Sequence, residues 1–335
     1  MTYGDGRLEW RVTAFGEPRD VLTFERGEVP EPGAGEIRVT VAANSLNFLD
    51  ASICRGHHPV RPELPFVPGA ELVGTVSAVG PDVTAPSVGD RVVAMSPLAH
   101  GCFCEEAIVA ARTSYEVPTA IPDEHAAALL VTYQTAYVSL HRRAKLREGE
   151  VVLVHAGAGG LGTALIQVAH ARGATVLATA GSDEKVRICL EQGAAAAVNY
   201  RDTDFRTMVA EATGGRGADV VCDPVGGDVF ARSLECAAFE GRLLPLGWAG
   251  GTMPAFDAGA IVGRNLDVIG VSWGSTYPQV AEQIVRDVHA EILRLYEQGR
   301  VRPLIGELRG AAELPIALQR LADGKLVGKA IVRWG

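Results

Sequence analysis

Two short stretches hold residues whose types and spacing could do chemistry. The first is "HAGAGGLG", residues 155–162. It follows the apolar run Val151–Val154 and opens an apolar helical pattern, so Gly157-x-Gly159-x-x-Gly162 sits at a strand-to-helix turn. Glycines there let the backbone approach a pyrophosphate, which then lies at the positive end of the helix. Gly157, Gly159, Gly160, Leu161 and Gly162 are therefore the expected dinucleotide cradle. The second stretch is "PFVPGAELVG", residues 65–74, where Glu71 interrupts an apolar run. A carboxylate there needs a partner. It is open to three readings: metal ligand, catalytic base or structural anchor.

The end of the next strand bears on which nucleotide would bind. An NAD site usually carries an acid there for the ribose 2′-hydroxyl. The strand ends "TVLATAGSDEK", and its tip, Ala180-Gly181-Ser182, has no acid. Ser182 can donate to a 2′-phosphate, Lys185 can supply a charge, and Tyr200, ending the following strand, can add a hydroxyl. Arg201 is a weaker candidate for the same phosphate. Ser182 is also a good helix N-cap, Lys185 also reads as a solvated helical lysine, and Asp183 could turn to a ribose. NADP(H) is the expected cofactor.

Elements that would position these residues are legible in texture. Residues 1–126 read as short strands and turns, with "EIRVTVAANSL" alternating at period two. From 127 to 271 strands alternate with helices, from "EVVLVHAG" to "LDVIGVSW", as in a parallel sheet covered on both faces. One long helix is expected over 278–298, and the tail ends in the strand "GKAIVRW". The expected class is α/β, with a doubly wound parallel-sheet domain over 127–271. A β-rich domain is expected from 1–126 completed by 272–335.

Bulk properties exclude several classes. The 335 residues suit two domains, and 47% hydrophobic with 21% charged suits a globular chain. The net charge of −9 disfavours nucleic-acid and anionic-membrane partners. No apolar window is long enough for a membrane span, and the start lacks a signal-peptide pattern. Six scattered cysteines suit free thiols in a reducing cytosol. Cys102-x-Cys104 is their only close pair, without zinc spacing. A cytoplasmic location is expected.

Taken in order, "SLNFLDASICRGHHP", "PFVPGAELVGTV", "VGDRV", "QTAYVSL", "HAGAGGLG", "NYRD", "DPVGGDVF" and "GKAIV" resemble the zinc-independent medium-chain dehydrogenase/reductases, in the quinone oxidoreductase (zeta-crystallin-like) branch. The resemblance spans nearly the whole chain. It implies that the β-rich domain is GroES-like and catalytic, that the cofactor lies in a cleft beside the Rossmann domain, and that homodimers form by extension of the sheet at "LDVIGVSW". Zinc-dependent relatives carry Gly-His-Glu where this chain has Gly69-Ala70-Glu71, and a cysteine ligand near Asn47. The resemblance thus implies no metal and a structural Glu71 paired with a buried basic or backbone donor. Without a Lewis acid, hydride transfer to acceptors that are already electrophilic is favoured.

By the same resemblance, Asn47 would meet the nicotinamide or the substrate oxygen, and Thr135 the nicotinamide carboxamide. Val225 and Leu246-Gly247-Trp248-Ala249 would line the reduced face, and Gly328 with Lys329 would close over the cofactor. Asn47 also reads as a turn or cap residue, and Thr135 as a buried hydroxyl. Where many relatives have a tyrosine, this chain has His57-His58. His58 is a candidate proton donor, or an exposed loop histidine. Phe48, Tyr133, Trp248, Trp273 and Tyr277 are expected to wall a pocket for a flat acceptor, or to form domain-interface core. The expected function is NADPH-dependent, metal-independent reduction of quinones or related electrophilic carbonyls. Two alternatives are an enone, alkenal or enoyl-thioester double-bond reductase and a non-catalytic NADPH-binding protein.

Overall fold

A computed structural model describes residues 6–98, 100–255 and 257–335. The chain divides into two compact units. The first comprises Met1–Val131, Pro278–His289 and Ile305–Gly335, and the second Thr132–Tyr277 and Ala290–Leu304.

In the first unit a seven-stranded sheet runs in the order Ile305–Gly310, Lys329–Arg333, Glu36–Ser45, Glu71–Val79, Arg91–Met95, Ser114–Glu116, and Glu106–Ala110 also pairs with Glu36–Ser45. Pairing is antiparallel except between the first two strands. The alternating Ile37, Val39 and Val41 are buried against Leu72, Val76, Val92 and Val109, as period-two patterning requires. This strand order has a chemical consequence. Glu36–Ser45 lies between the strand that Glu71 opens and the strand that Lys329 opens, so residues nearly 260 apart in sequence flank the exit of one strand. From that exit the chain passes Asn47 and enters the helix Phe48–Cys54.

In the second unit six strands are all parallel, in the order Ala196–Asn199, Thr175–Ala180, Val151–Val154, Ala218–Asp223, Ala237–Pro245, Asp267–Val268. Counted from Val151–Val154 this is 3-2-1-4-5-6, the doubly wound order whose reversal point lies at the ends of the first and fourth strands. Val151–Val154 is buried along its whole length because helices cover both faces.

Three elements differ from expectation. The strand expected at "LDVIGVSW" shrinks to Asp267–Val268. The helix expected over 278–298 is two helices, Trp273–Val280 and Glu282–Glu297, separated at Ala281, and the first starts before Pro278 and runs through it. Residues 123–143 form a helical run with two π-wound segments, Leu129–Tyr133 and Val138–Arg143. That run is apolar on most sides, so it has no amphipathic period to reveal it. Among the described residues no helix is long and apolar enough to cross a membrane.

Candidate active site

The glycine loop lies between the strand Val151–Val154 and the helix Gly160–Ala171, with Gly159 as N-cap. A Cβ on Gly162 would meet the Ala156 carbonyl and lie 2.7 Å from Gly157 Cα, so only glycine lets the helix start this close to the turn. A Cβ on Gly157 would lie 2.8 Å from Cys189 Sγ. On Gly159 it would touch only the Ala156 oxygen, at 3.4 Å. Leu161 is part-exposed on the first turn. These are features of a cradle that fits a pyrophosphate.

His155, unremarked in the sequence, fixes the base of this loop. It is fully buried, with Nδ1 at 3.0 Å from Thr179 Oγ1 and Nε2 at 2.8 Å from Ser233 Oγ. Ser233 donates its only hydroxyl proton to the Val229 carbonyl. It therefore accepts from Nε2–H, and Nδ1 accepts from Thr179. Burial, with the Arg232 charge, pushes the imidazole pKa down to about 3, so the ring stays neutral.

At the tip of the second strand, Ser182 caps the helix Asp183–Glu191 by accepting the Lys185 amide at 3.3 Å. Its hydroxyl proton is left for a ligand. The Tyr200 hydroxyl stands over Gly181, where a Cβ would lie 2.9 Å from it. Burial and then the Arg201 guanidinium lower the Lys185 ammonium pKa. Asp183 accepts from Asn199 at 3.3 Å.

At the end of the fourth strand, Asp223 Oδ1 accepts the amides of Val225, at 2.7 Å, and Gly226, at 3.1 Å. Oδ2 is buried with no hydrogen-bond partner, and burial raises the pKa of the acid. The Asp223, Pro224 and Val225 carbonyls accept the amides of Leu246, Ala249 and Gly250. The Val225 loop and the Gly247–Ala249 loop are thereby laced together, with Trp248 exposed on the second. Tyr133 is fully buried, and its hydroxyl donates to Gln167 at 2.8 Å. Trp273 is also buried, packed on the part-exposed Tyr277 with ring centroids 5.1 Å apart. Thr135 is half-buried in the turn Gln134–Tyr137.

The Glu71 carboxylate lies within the first unit. Glu71 is fully buried. Oε1 accepts from Lys329 Nζ at 3.0 Å and Asn47 Nδ2 at 2.9 Å, and Oε2 accepts the Val131 amide at 2.8 Å. Lys329 is buried as well. Its ammonium also donates to the Leu46 carbonyl at 3.1 Å and to Asn47 Oδ1 at 2.7 Å, which uses its three protons. Asn47 Nδ2 gives its second proton to the Ser45 carbonyl at 3.2 Å. Gly328, beside Lys329, has φ 55. Phe48 is exposed at the start of the next helix. His58 is half-buried; Nδ1 accepts the Val60 amide at 3.1 Å, and burial lowers its pKa.

Comparison with known proteins places this arrangement. Residues 160–288 match the family model described as zinc-binding dehydrogenase, and residues 33–120 that of the alcohol dehydrogenase GroES-like domain. Quinone oxidoreductase-like protein 2 of Bos taurus is 36% identical over 330 residues, which cover 98% of this chain and 93% of that protein. The chain belongs to the quinone oxidoreductase family of the medium-chain dehydrogenase/reductases. Its two units carry that family's GroES-like and Rossmann folds. Among solved structures, the Escherichia coli quinone oxidoreductase complexed with NADPH superposes with a TM-score of 0.90 at 29% identity, covering 97% of this chain and 99% of that one. A reducing polyketide synthase of Cochliobolus heterostrophus is 37% identical over 306 residues, 89% of this chain but 12% of that protein.

One of the matched models is described as zinc-binding, and the residues here do not fit that metal. Alanine and asparagine stand at positions 70 and 47, where the resemblance places histidine and cysteine ligands. The carboxylate beside them is already neutralised by an ammonium. A catalytic zinc needs three His, Cys, Asp or Glu donors with the fourth position left open, and a structural one needs four. Among the described residues no group of three His, Cys, Asp or Glu side chains converges to hold a metal.

Proposed function

We propose that this oxidoreductase uses NADPH to reduce quinones or related electrophilic carbonyl acceptors without a metal. The Glu71–Lys329 pair carries this reading. A buried ammonium occupies the place of a Lewis acid, and it is spent on holding Asn47 rather than on polarising a substrate. An acceptor reduced at such a site must already be electrophilic. NADPH supplies the hydride when bound. The glycine-loop amides and the helix end hold its pyrophosphate, and Ser182, Lys185 and Tyr200, with Arg201, hold its 2′-phosphate. Val225, Gly247, Trp248, Ala249 and Thr135 orient the nicotinamide, and Asn47 orients the acceptor. Lys329 serves through Asn47. His58, with Nδ1 on the Val60 amide, presents Nε2–H as a hydrogen-bond donor to the acceptor oxygen. Trp248 and the Trp273–Tyr277 pair are the aromatic candidates of the second unit for a flat acceptor, and Phe48 is that of the first; Tyr133 belongs to the core of the second unit. The protein works as a homodimer in a reducing, cytoplasmic setting, where its six buried cysteines stay free.

A second reading, reduction of an enone or enoyl thioester, is favoured by the similarity to a segment of a reducing polyketide synthase. Both readings need the same cofactor. Nicotinamide fluorescence titration is expected to show much tighter binding of NADPH than of NADH. Lys185→Ala should weaken NADPH binding roughly 10–100-fold, as expected for one hydrogen bond to a charged group, and leave NADH nearly unchanged. Tighter NADH binding, or an unaltered preference in the variant, would assign ribose recognition to Asp183 or another group.

A further inference from the structure

Asp50 is a buried acid that the proposed reaction leaves without a role. It is fully buried in the first turn of the helix Phe48–Cys54. Oδ2 accepts the Asn47 amide at 2.8 Å, while Oδ1 is buried without a well-formed hydrogen bond, the Ala70 amide lying near the carboxyl. Asn47 is therefore held through its amide by Asp50, through its side-chain nitrogen by Glu71 and the Ser45 carbonyl, and through its side-chain oxygen by Lys329. The ionisable groups facing Asp50 are Lys329 from the C-terminal strand, Glu71 from the strand Glu71–Val79, Cys54 from its own helix and Cys102 from the segment before Glu106–Ala110. Burial raises the thiol pKa of both cysteines, so the charges are those of Asp50, Glu71 and Lys329. One lysine can neutralise one carboxylate. A second ionised carboxylate, with an oxygen that has no donor beyond the nearby Ala70 amide, is costly in a dry interior.

We propose that Asp50 is a positioning residue for Asn47 that acts by carrying a proton on Oδ1. With that proton in place the cluster of Asp50, Glu71 and Lys329 is neutral, and the lysine is committed to Glu71 and Asn47. When the proton leaves, the cluster carries one net negative charge and Asp50 competes for the same ammonium, which loosens the hold on Asn47. Burial, opposed by the Asn47 amide, Lys329 and the Ala70 amide and reinforced by Glu71, pushes the acid up to about 7, so the exchange falls in the neutral range. The kinetic part of this proposal rests on the reading that Asn47 meets the acceptor.

The test uses the whole protein labelled with carboxyl-¹³C aspartate. One carboxyl is expected to titrate near neutrality. Its midpoint should move down in Glu71→Gln, which removes a neighbouring negative charge, and up in Lys329→Met, which removes a positive one. Because the folded pKa lies above the unfolded value of about 3.9, Asp50 favours the folded state fully below that value. This contribution is lost as pH rises through the folded midpoint. Asp50→Asn, which mimics the protonated acid, should flatten that slope. It should also remove a neutral-range inflection in kcat/KM for the acceptor while leaving NADPH affinity unchanged. A wild-type protein in which every aspartate titrates below about pH 5 would overturn the proposal, even if no variant folds. So would a neutral midpoint that ignores Glu71→Gln, or acceptor kinetics that do not follow the titration. Absence of turnover on any acceptor would instead remove the functional reading, and the NMR titration would still decide whether Asp50 holds the proton.

Discussion

Replacing Lys329 with methionine is expected to destabilise the protein by roughly 3–5 kcal/mol, the range for removing one partner of a buried ion pair. The side chains of Lys329 and Glu71 are 3% and 0% exposed, so solvent screening does little for the charge left behind. The lost ammonium also strands the Leu46 carbonyl and Asn47 Oδ1. The double variant Lys329→Met/Glu71→Gln should recover a large part of the loss. Glutamine keeps an oxygen to accept from Asn47 and removes the unpaired charge. Denaturant unfolding of the two single variants and the double variant measures the coupling. Additive losses would show that the pair does not organise this part of the sheet.

Gly162→Ala should strain the glycine loop of the second unit. The added methyl would press on the Ala156 carbonyl and on Gly157 Cα, which are backbone atoms that cannot rotate away. The helix must then withdraw from the turn, at a cost of about 1–3 kcal/mol in stability. Because its N-terminus is the proposed phosphate site, NADPH affinity should fall at least roughly tenfold. Gly159→Ala is the matched control, since its methyl would reach only the Ala156 oxygen, at 3.4 Å. Stability should then stay within about 1 kcal/mol of wild type, the ordinary scale for glycine-to-alanine changes where the backbone permits them. Equal stability losses in the two variants would contradict the close-packing argument.

These two sites show how far the sequence could be read. The glycine loop is a local device, and strand, turn and helix follow one another within about 20 residues, so its place and the parallel sheet were both legible. Glu71 was legible only as a problem. Its burial follows from the apolar run around it, but its partner lies 258 residues away on a strand brought alongside by sheet order. No periodicity reveals that. Lys329 shows the converse: its neighbourhood suggested a cofactor contact, whereas the structure spends its three protons within the first unit. Asp50 and Asp223 carry no distinguishing mark in the sequence, and their buried, poorly partnered oxygens appear only in the fold. Tyr133 fitted an aromatic wall by type, and its position in a helix buried on most sides makes it core. The helical run 123–143 escaped because a segment apolar on most sides shows no face.

Turnover of NADPH by the whole protein after exhaustive chelation tests the central claim most directly. A naphthoquinone, an orthoquinone, an alkenal and a crotonyl thioester would be offered in parallel. The account predicts that chelation leaves the rate unchanged, that added zinc does not raise it, and that the quinones are reduced fastest. Activity lost on chelation and restored by zinc would contradict it, as would turnover of the thioester alone.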